Sequence, residues 1–268
     1  MTGEWYPGHM AKTKRLLAER IKEIDVVLVL LDARAPKSSL NSFLLEVFES
    51  KPKIYLLNKN DLADSAITQK WLDYFRKKDD TALLINAQKG KGLRNLIKTS
   101  QTLVYTKKKR YVNLGIKNIP IRAGIIGIPN VGKSTLLNHL VQKNVAQVQN
   151  KPGLTRKLLW YKINDQFKIL DTPGMLWPKF DSETTGFKIA LLNSIANYIY
   201  DPEKVVDFLL NLLSTDYPHV SQTYFEGINS WKILVENKHY SNPEKKAEEI
   251  ISKFRKNKYG RITLEQPN

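Results

Sequence analysis

Gly127-Ile128-Pro129-Asn130-Val131-Gly132-Lys133-Ser134-Thr135 decides the fold. The run fits the pattern G-x-x-x-x-G-K-[ST]. An apolar stretch, Ile121–Gly127, reads as a strand leading into it, and a helix reading opens at Lys133 and continues to about Val141. A strand before and a helix after are the context the pattern requires. The glycines let consecutive backbone N–H groups turn inward around a phosphate, with the positive end of a helix behind them. The Lys133 ammonium suits the β- and γ-phosphates of a nucleoside triphosphate, and the Ser134 hydroxyl suits a Mg²⁺ ion. A tight strand-to-helix turn with a chance lysine is the plain alternative, and the flanking elements weigh against it.

Downstream, Lys157–Ile163 and Phe167–Leu170 flank Asn164-Asp165 and read as a hairpin. Its second strand ends in Asp171-Thr172-Pro173-Gly174. An aspartate at such a strand end holds Mg²⁺, usually through water, in P-loop nucleoside triphosphatases, and the N–H of a following glycine, here Gly174, can meet the γ-phosphate. Thr155, between the two motifs, offers a hydroxyl that completes the Mg²⁺ shell; an ordinary loop threonine is the other reading. Met175 follows Gly174, where Ras-like switches place a water-orienting glutamine. A thioether cannot hold a water by hydrogen bonding in that way, so unaided hydrolysis is expected to be slow.

Upstream, Asn58-Lys59-Asn60-Asp61 ends a second apolar strand, Lys53–Leu57. A carboxylate there can accept from guanine N1–H and the 2-amino group. Adenine offers neither donor, so the wrong base leaves a buried charge unpaired. Lys59 is expected to lie along the purine, Asn58 to brace neighbouring loops, and Asn86-Ala87 to add a backbone N–H toward the guanine oxygen. An ATP-using enzyme is disfavoured by Asp61. The order is unusual, because the base loops precede the phosphate loop. A circularly permuted connection preserves the pocket, since only the loops' positions in space matter. It also makes the loop at Asp171–Gly174 the exit from the nucleotide domain, so loss of the γ-phosphate pulls on whatever follows.

Other strands read at Ile24–Leu31 and Ala82–Ile85, and helices at Ser42–Phe48, Ile67–Lys77 and Leu93–Val104. Strands alternating with helices imply an α/β fold with a mostly parallel sheet. After Pro178 the strand signal fades, and Phe187–Ile199, Pro202–Leu213 and Pro243–Phe254 read as helices. The expected organisation is a nucleotide domain over residues 1–178 and a small all-α domain over 179–268.

The 268 residues carry 43 Lys+Arg against 26 Asp+Glu, a net charge of +17. The excess is lopsided: +18 over residues 1–179 and −1 over 180–268, although Lys253, Arg255, Lys256, Lys258 and Arg261 cluster near the end. Such a field fits a polyanionic partner bound in a salt-dependent way. The absence of cysteine excludes disulfides, thiol catalysis and thiolate metal sites. The aliphatic run Val26–Leu31 is far below the ~20 residues of a membrane span, and Glu4, Trp5 and Pro7 stand where a signal peptide would be apolar. A cytoplasmic protein without membrane association is expected.

These motifs together resemble the circularly permuted GTPases of the RbgA/YlqF type. The resemblance covers nearly the whole length and includes Trp5-Tyr6-Pro7-Gly8-His9-Met10, Asp32-Ala33-Arg34-Ala35-Pro36 and Lys258-Tyr259-Gly260-Arg261 with Glu265-Gln266-Pro267. It implies a GTPase acting in late assembly of the large ribosomal subunit, stimulated by that subunit, with a helical C-terminal domain on ribosomal RNA. A monomer and no DNA partner are expected. It implies GTP and GDP as substrate and product, with Mg²⁺, and two sources of catalytic help. His9 would orient or deprotonate the attacking water, and Asn130 would help to hold K⁺; a surface histidine and a loop-stabilising asparagine are the alternatives. A non-ribosomal RNA-binding module with a regulatory guanine-nucleotide pocket is the competing function.

Overall fold

The structure is a computed structural model that describes residues 15–105, 109, 119–141, 158–177 and 180–267. Six strands form one sheet: β1 (Val26–Asp32), β2 (Lys53–Asn58), β3 (Thr81–Leu84), β4 (Ile121–Ile126), β5 (Leu159–Asn164) and β6 (Phe167–Asp171), in the order β3-β2-β1-β4-β6-β5. All neighbours are parallel except β5 and β6, which form the expected hairpin. Every residue of β1 is buried, as an unbroken Val/Leu run covered on both faces requires.

The chain moves from β1 outward through β2 to β3, then returns to place β4 on β1's other side. The crevice at such a reversal is where open α/β sheets bind ligands. Because β1, β2, β3, β4 and β6 run the same way, their carboxyl ends share one edge. Asp32, Asn58, Asn86, Gly127 and Asp171 all emerge there, although they span more than half of the sequence.

The strand readings agree with the structure to within two residues, and the phosphate-loop helix is Lys133–Val141 as expected. Beyond the sheet one helix reading is corrected. Phe187–Ile199 is not continuous: the helix is Glu183–Leu191, begun by Ser182 capping Thr185 N–H, and Asn197–Ile199 is a separate 3₁₀ turn. Asn193 breaks it with φ 61°, the left-handed conformation that ends helices. Two further short helices, Pro218–Phe225 and Trp231–Lys238, add to the expected ones. Helix Pro202–Asp216, opened by the Asp201 cap and a proline in its first turn, packs against both of them, against Glu183–Leu191 and against Pro243–Arg255.

The final segment returns to the sheet. Ile262 N–H donates to Leu62 C=O (3.3 Å), Leu264 N–H to Arg34 C=O (2.6 Å) and Trp71 Nε1 to Glu265 C=O (3.2 Å). The buried Glu265 carboxylate accepts from Ser38 and pairs with Lys188 at 3.0 Å. The chain's end is thereby pinned beside the loops that follow β1 and β2.

Candidate nucleotide site

One cavity of about 1040 Å³ opens at the carboxyl edge of the sheet. Asn58, Lys59 and Asp61 line it from the β2 loop, Asn86 and Ala87 from the β3 loop, and Asn130, Gly132 and Thr135 from the phosphate loop. The base-reading and phosphate-holding candidates therefore meet in one place despite their order in the chain.

Asn58 ties the three loops together. Its Nδ2 donates to Val131 C=O (2.8 Å), and its Oδ1 accepts from Ala87 N–H (2.9 Å). Gly132 is glycine for this reason: its φ is +107°, and a Cβ there would lie 2.4 Å from Asn58 Nδ2. The expected bracing role of Asn58 is thus visible. The Ala87 N–H, expected to face the guanine oxygen, here serves Asn58.

Lys59 Nζ donates to Asn130 C=O at 2.8 Å and pairs with Asp32 Oδ2 at 2.9 Å. Asp32 is itself clamped by Arg34, with Nε to Oδ1 at 2.9 Å and Nη2 to Oδ2 at 2.8 Å. Burial alone would raise the Asp32 carboxyl, but the Arg34 and Lys59 cations hold it well below the usual carboxylate range. Register puts them together, since β1 and β2 pair Asp32 with Asn58. The Asp32–Pro36 run carries family resemblance in the sequence but no readable role. Its role is to fix the lysine of the base loop.

Asp61 lies at the cavity with Lys89 Nζ 3.3 Å from its Oδ2. Both side chains keep access to solvent, so this pair is weak and exchangeable. Asn60 belongs to the same turn, between Lys59 and Asp61.

At the phosphate end, Lys133 is buried and donates to Gly127 and Ile128 C=O, each at 2.8 Å. Gly174 lies against it: a Cβ there would stand 2.9 Å from Lys133 Nζ and from Pro129 Cα. Thr172 Oγ1 anchors that loop to Ile125 C=O (2.6 Å), and Asn41 Nδ2 holds Met175 C=O (2.8 Å). Asp171 is 3% exposed and its Oδ1 has no hydrogen-bond partner among the described residues. Burial raises its pKa against the opposing pull of Lys133. An orphaned carboxylate oxygen beside the phosphate loop suits a water of a hydrated Mg²⁺ ion, so the residues present fit that ion. Ser134 follows Lys133 in the first turn of the phosphate-loop helix. Thr155 and His9 lie outside the described residues.

Burial lowers the Lys133 ammonium to about 8, although Asp171 supports its charge. Nucleotide phosphates would raise it again, so binding above that pH takes up a proton. GDP affinity is expected to be flat below about pH 8 and to fall about tenfold per unit above it. Calorimetry at pH 7 and pH 9 checks this, and equal affinities would contradict it.

The cavity's far wall carries no motif in the sequence. Leu192 and Asn193 line it after the broken helix, and Ser252, Arg255 and Lys256 line it from the last turn of helix Pro243–Arg255. Asn130 Nδ2 donates to Asn193 C=O (2.6 Å) and Ser194 Oγ to Pro129 C=O (2.8 Å), so the phosphate loop is bonded directly to the helical segment. The available signal is the adjacent polar pair Asn193-Ser194 inside that helix reading.

Residues 122–256 match the family model described as 50S ribosome-binding GTPase. The chain is 40% identical to Ribosome biogenesis GTPase A of Priestia megaterium, over all of this chain and 98% of that protein. It is 29% identical to the protein of the same name from Thermotoga maritima, over 98% of this chain and 94% of that one. The crystal structure of GNP-bound YlqF from T. maritima matches in fold with a TM-score of 0.66 at 24% identity, covering 96% and 99% of the two chains. A structure of the GDP-bound T. maritima protein matches at 0.65. The cavity, the permuted order of its loops and the full-length relatives agree: this chain is a circularly permuted P-loop GTPase that belongs to the ribosome biogenesis GTPase A family.

Proposed function

We propose that the protein acts in late assembly of the large (50S) ribosomal subunit, that the subunit stimulates its GTP hydrolysis, and that hydrolysis releases it. The observation that carries this reading is the bonding of the phosphate loop to the helical segment through Asn130–Asn193 and Pro129–Ser194. Gly174, packed on the same loop, starts the connection into those helices. A change at the γ-phosphate therefore strains two routes into one unit. In this division of labour, residues 1–178 bind and hydrolyse GTP and residues 179–268 meet ribosomal RNA. The net charge of +17, carried by residues 1–179, supports a polyanionic partner that reaches beyond the helical segment, whose own basic cluster is Lys253, Arg255, Lys256, Lys258 and Arg261. Among the described residues no helix is long and apolar enough to cross a membrane. We place the protein in the cytoplasm as a monomer.

Within the site, Asp61 reads guanine, the N–H groups around Val131 and Gly132 cradle the phosphates, and Lys133 balances charge between β and γ. Ser134, Thr155 and Asp171 (through water) would hold Mg²⁺, which neutralises charge developing on the phosphate oxygens. His9 orients the attacking water, and His9→Ala should lose subunit-stimulated turnover. Asn130 supports K⁺ near the transferred phosphate, and equal turnover in K⁺ and Na⁺ would remove that role.

Co-sedimentation tests the proposal. The protein should pellet with large subunits in the presence of a non-hydrolysable GTP analogue and remain in the supernatant with GDP. Binding to any RNA regardless of nucleotide would instead favour a non-ribosomal RNA-binding module with a regulatory pocket.

A further inference from the structure

A second cavity, of about 620 Å³, lies on the other side of the last turn of helix Pro243–Arg255. Ser252 and Lys256 line both cavities, so this turn is the wall between them. The second cavity combines two chemistries. Tyr224, 51% exposed, makes a T-shaped contact with Tyr259, the ring centroids 5.1 Å apart. Tyr259 is itself buried and packed on Phe225 at 5.3 Å, so the platform is rigid. Around it stand Lys246, Lys253, Lys256 and Lys258, against one carboxylate, Glu249.

That carboxylate is already shared, by Lys246 at 2.9 Å and Lys253 at 2.7 Å. Among the described residues Lys256 and Lys258 make no ion pair. The terminal basic cluster thus divides by structure. Arg255 turns inward to Ala190 C=O (2.7 Å) and the Tyr200 hydroxyl (2.9 Å), whereas Lys256 and Lys258 keep their charge for an outside partner. Free ammonium groups beside a half-exposed aromatic ring form the pairing that holds unpaired nucleotides: the cations track the phosphates and the ring stacks a base.

We propose that this cavity binds a single-stranded stretch of RNA, with a base stacked on Tyr224 and phosphates on Lys256 and Lys258. The inference rests on the reading that the helical segment meets RNA, and it adds where and in what form. A duplex keeps its bases stacked internally and could use only the lysines. An acidic peptide could also use only the lysines, and would ignore the ring.

The test measures binding of a short single-stranded RNA, its duplex and polyglutamate to the full chain across a salt series. The single strand should bind more tightly than the duplex, and polyglutamate should compete poorly. Tyr224→Ala should weaken single-strand binding about tenfold with an unchanged salt slope, and Tyr224→Phe should restore it. Lys258→Ala should reduce the slope of log affinity against log salt by about 0.7. Neither position lines the nucleotide cavity, so GDP affinity should be that of the parent in both variants. Because Tyr224 packs on Tyr259, unfolding midpoints accompany the measurement. Should Tyr224→Ala unfold, the Lys258 slope and the strand-versus-duplex ratio still decide. The proposal is overturned if the Tyr224→Ala variant, folded, binds like the parent, if the duplex binds as tightly as the strand, or if polyglutamate displaces RNA equally. Subunit co-sedimentation that survives these variants would overturn this site alone, whereas its absence in the parent would overturn the ribosomal reading.

Discussion

Asp61→Asn is expected to move the pocket's preference from guanine to xanthine nucleotides. In the proposed site the Asp61 carboxylate would accept from two guanine donors, N1–H and the 2-amino group. Xanthine carries an oxygen at C2, which an asparagine N–H can serve and a carboxylate repels. Charged hydrogen bonds contribute about 1.5–3 kcal/mol each, so losing two lowers GDP affinity on the order of 10²- to 10⁴-fold. The Lys89 pair does not offset this, because it is exposed and 3.3 Å long. Fluorescent GDP and xanthosine diphosphate titrations decide it. Undiminished GDP affinity in the variant would remove Asp61 from the base site.

Asp32→Ala should produce the largest stability loss of any single polar substitution beside the site. The Asp32 and Arg34 side chains are 1% and 5% exposed, and Lys59 draws on the same carboxylate. Removing the anion leaves a buried guanidinium unpaired, which costs about 3–5 kcal/mol. Lys59 would lose its anchor, so nucleotide affinity should fall as well. The pH dependence has a definite sign. A carboxyl held below its ordinary 3.8 stabilises the fold fully at neutral pH, and that contribution is lost as pH falls from 3.8 toward its lower folded value. Urea unfolding at pH 7 and pH 3 checks both points. A loss under about 1 kcal/mol at pH 7 would show that the network is dispensable.

Much of this architecture is legible in the residues, for local reasons. Strand β1 is a run of valine and leucine that makes sense only if buried on both faces, and Lys133–Val141 starts where the phosphate motif demands a helix. The meeting of Asp61 and Gly132 in one cavity followed from motif chemistry, because each loop has a partner only if the other is near. What stayed hidden depends on long-range packing. Nothing around Asp32 announces that Lys59 will pair with it, because strand register brings them together. Phe187–Ile199 looks like one helix, yet Asn193 takes a left-handed conformation and offers its C=O to Asn130. The far wall at Ser252, Arg255 and Lys256 depends on the last helix folding back against the cavity, which local patterning does not encode.

In the proposed pocket a base loop early in the chain and a phosphate loop past its midpoint close on one guanine nucleotide. Competition calorimetry on the unmodified protein tests it most directly. GDP should bind one molecule per chain, GTP should displace it, and ATP at the same concentration should not. Displacement of GDP by ATP as readily as by GTP, or two independent sites per chain, would rule out a single guanine-specific pocket built from both loops.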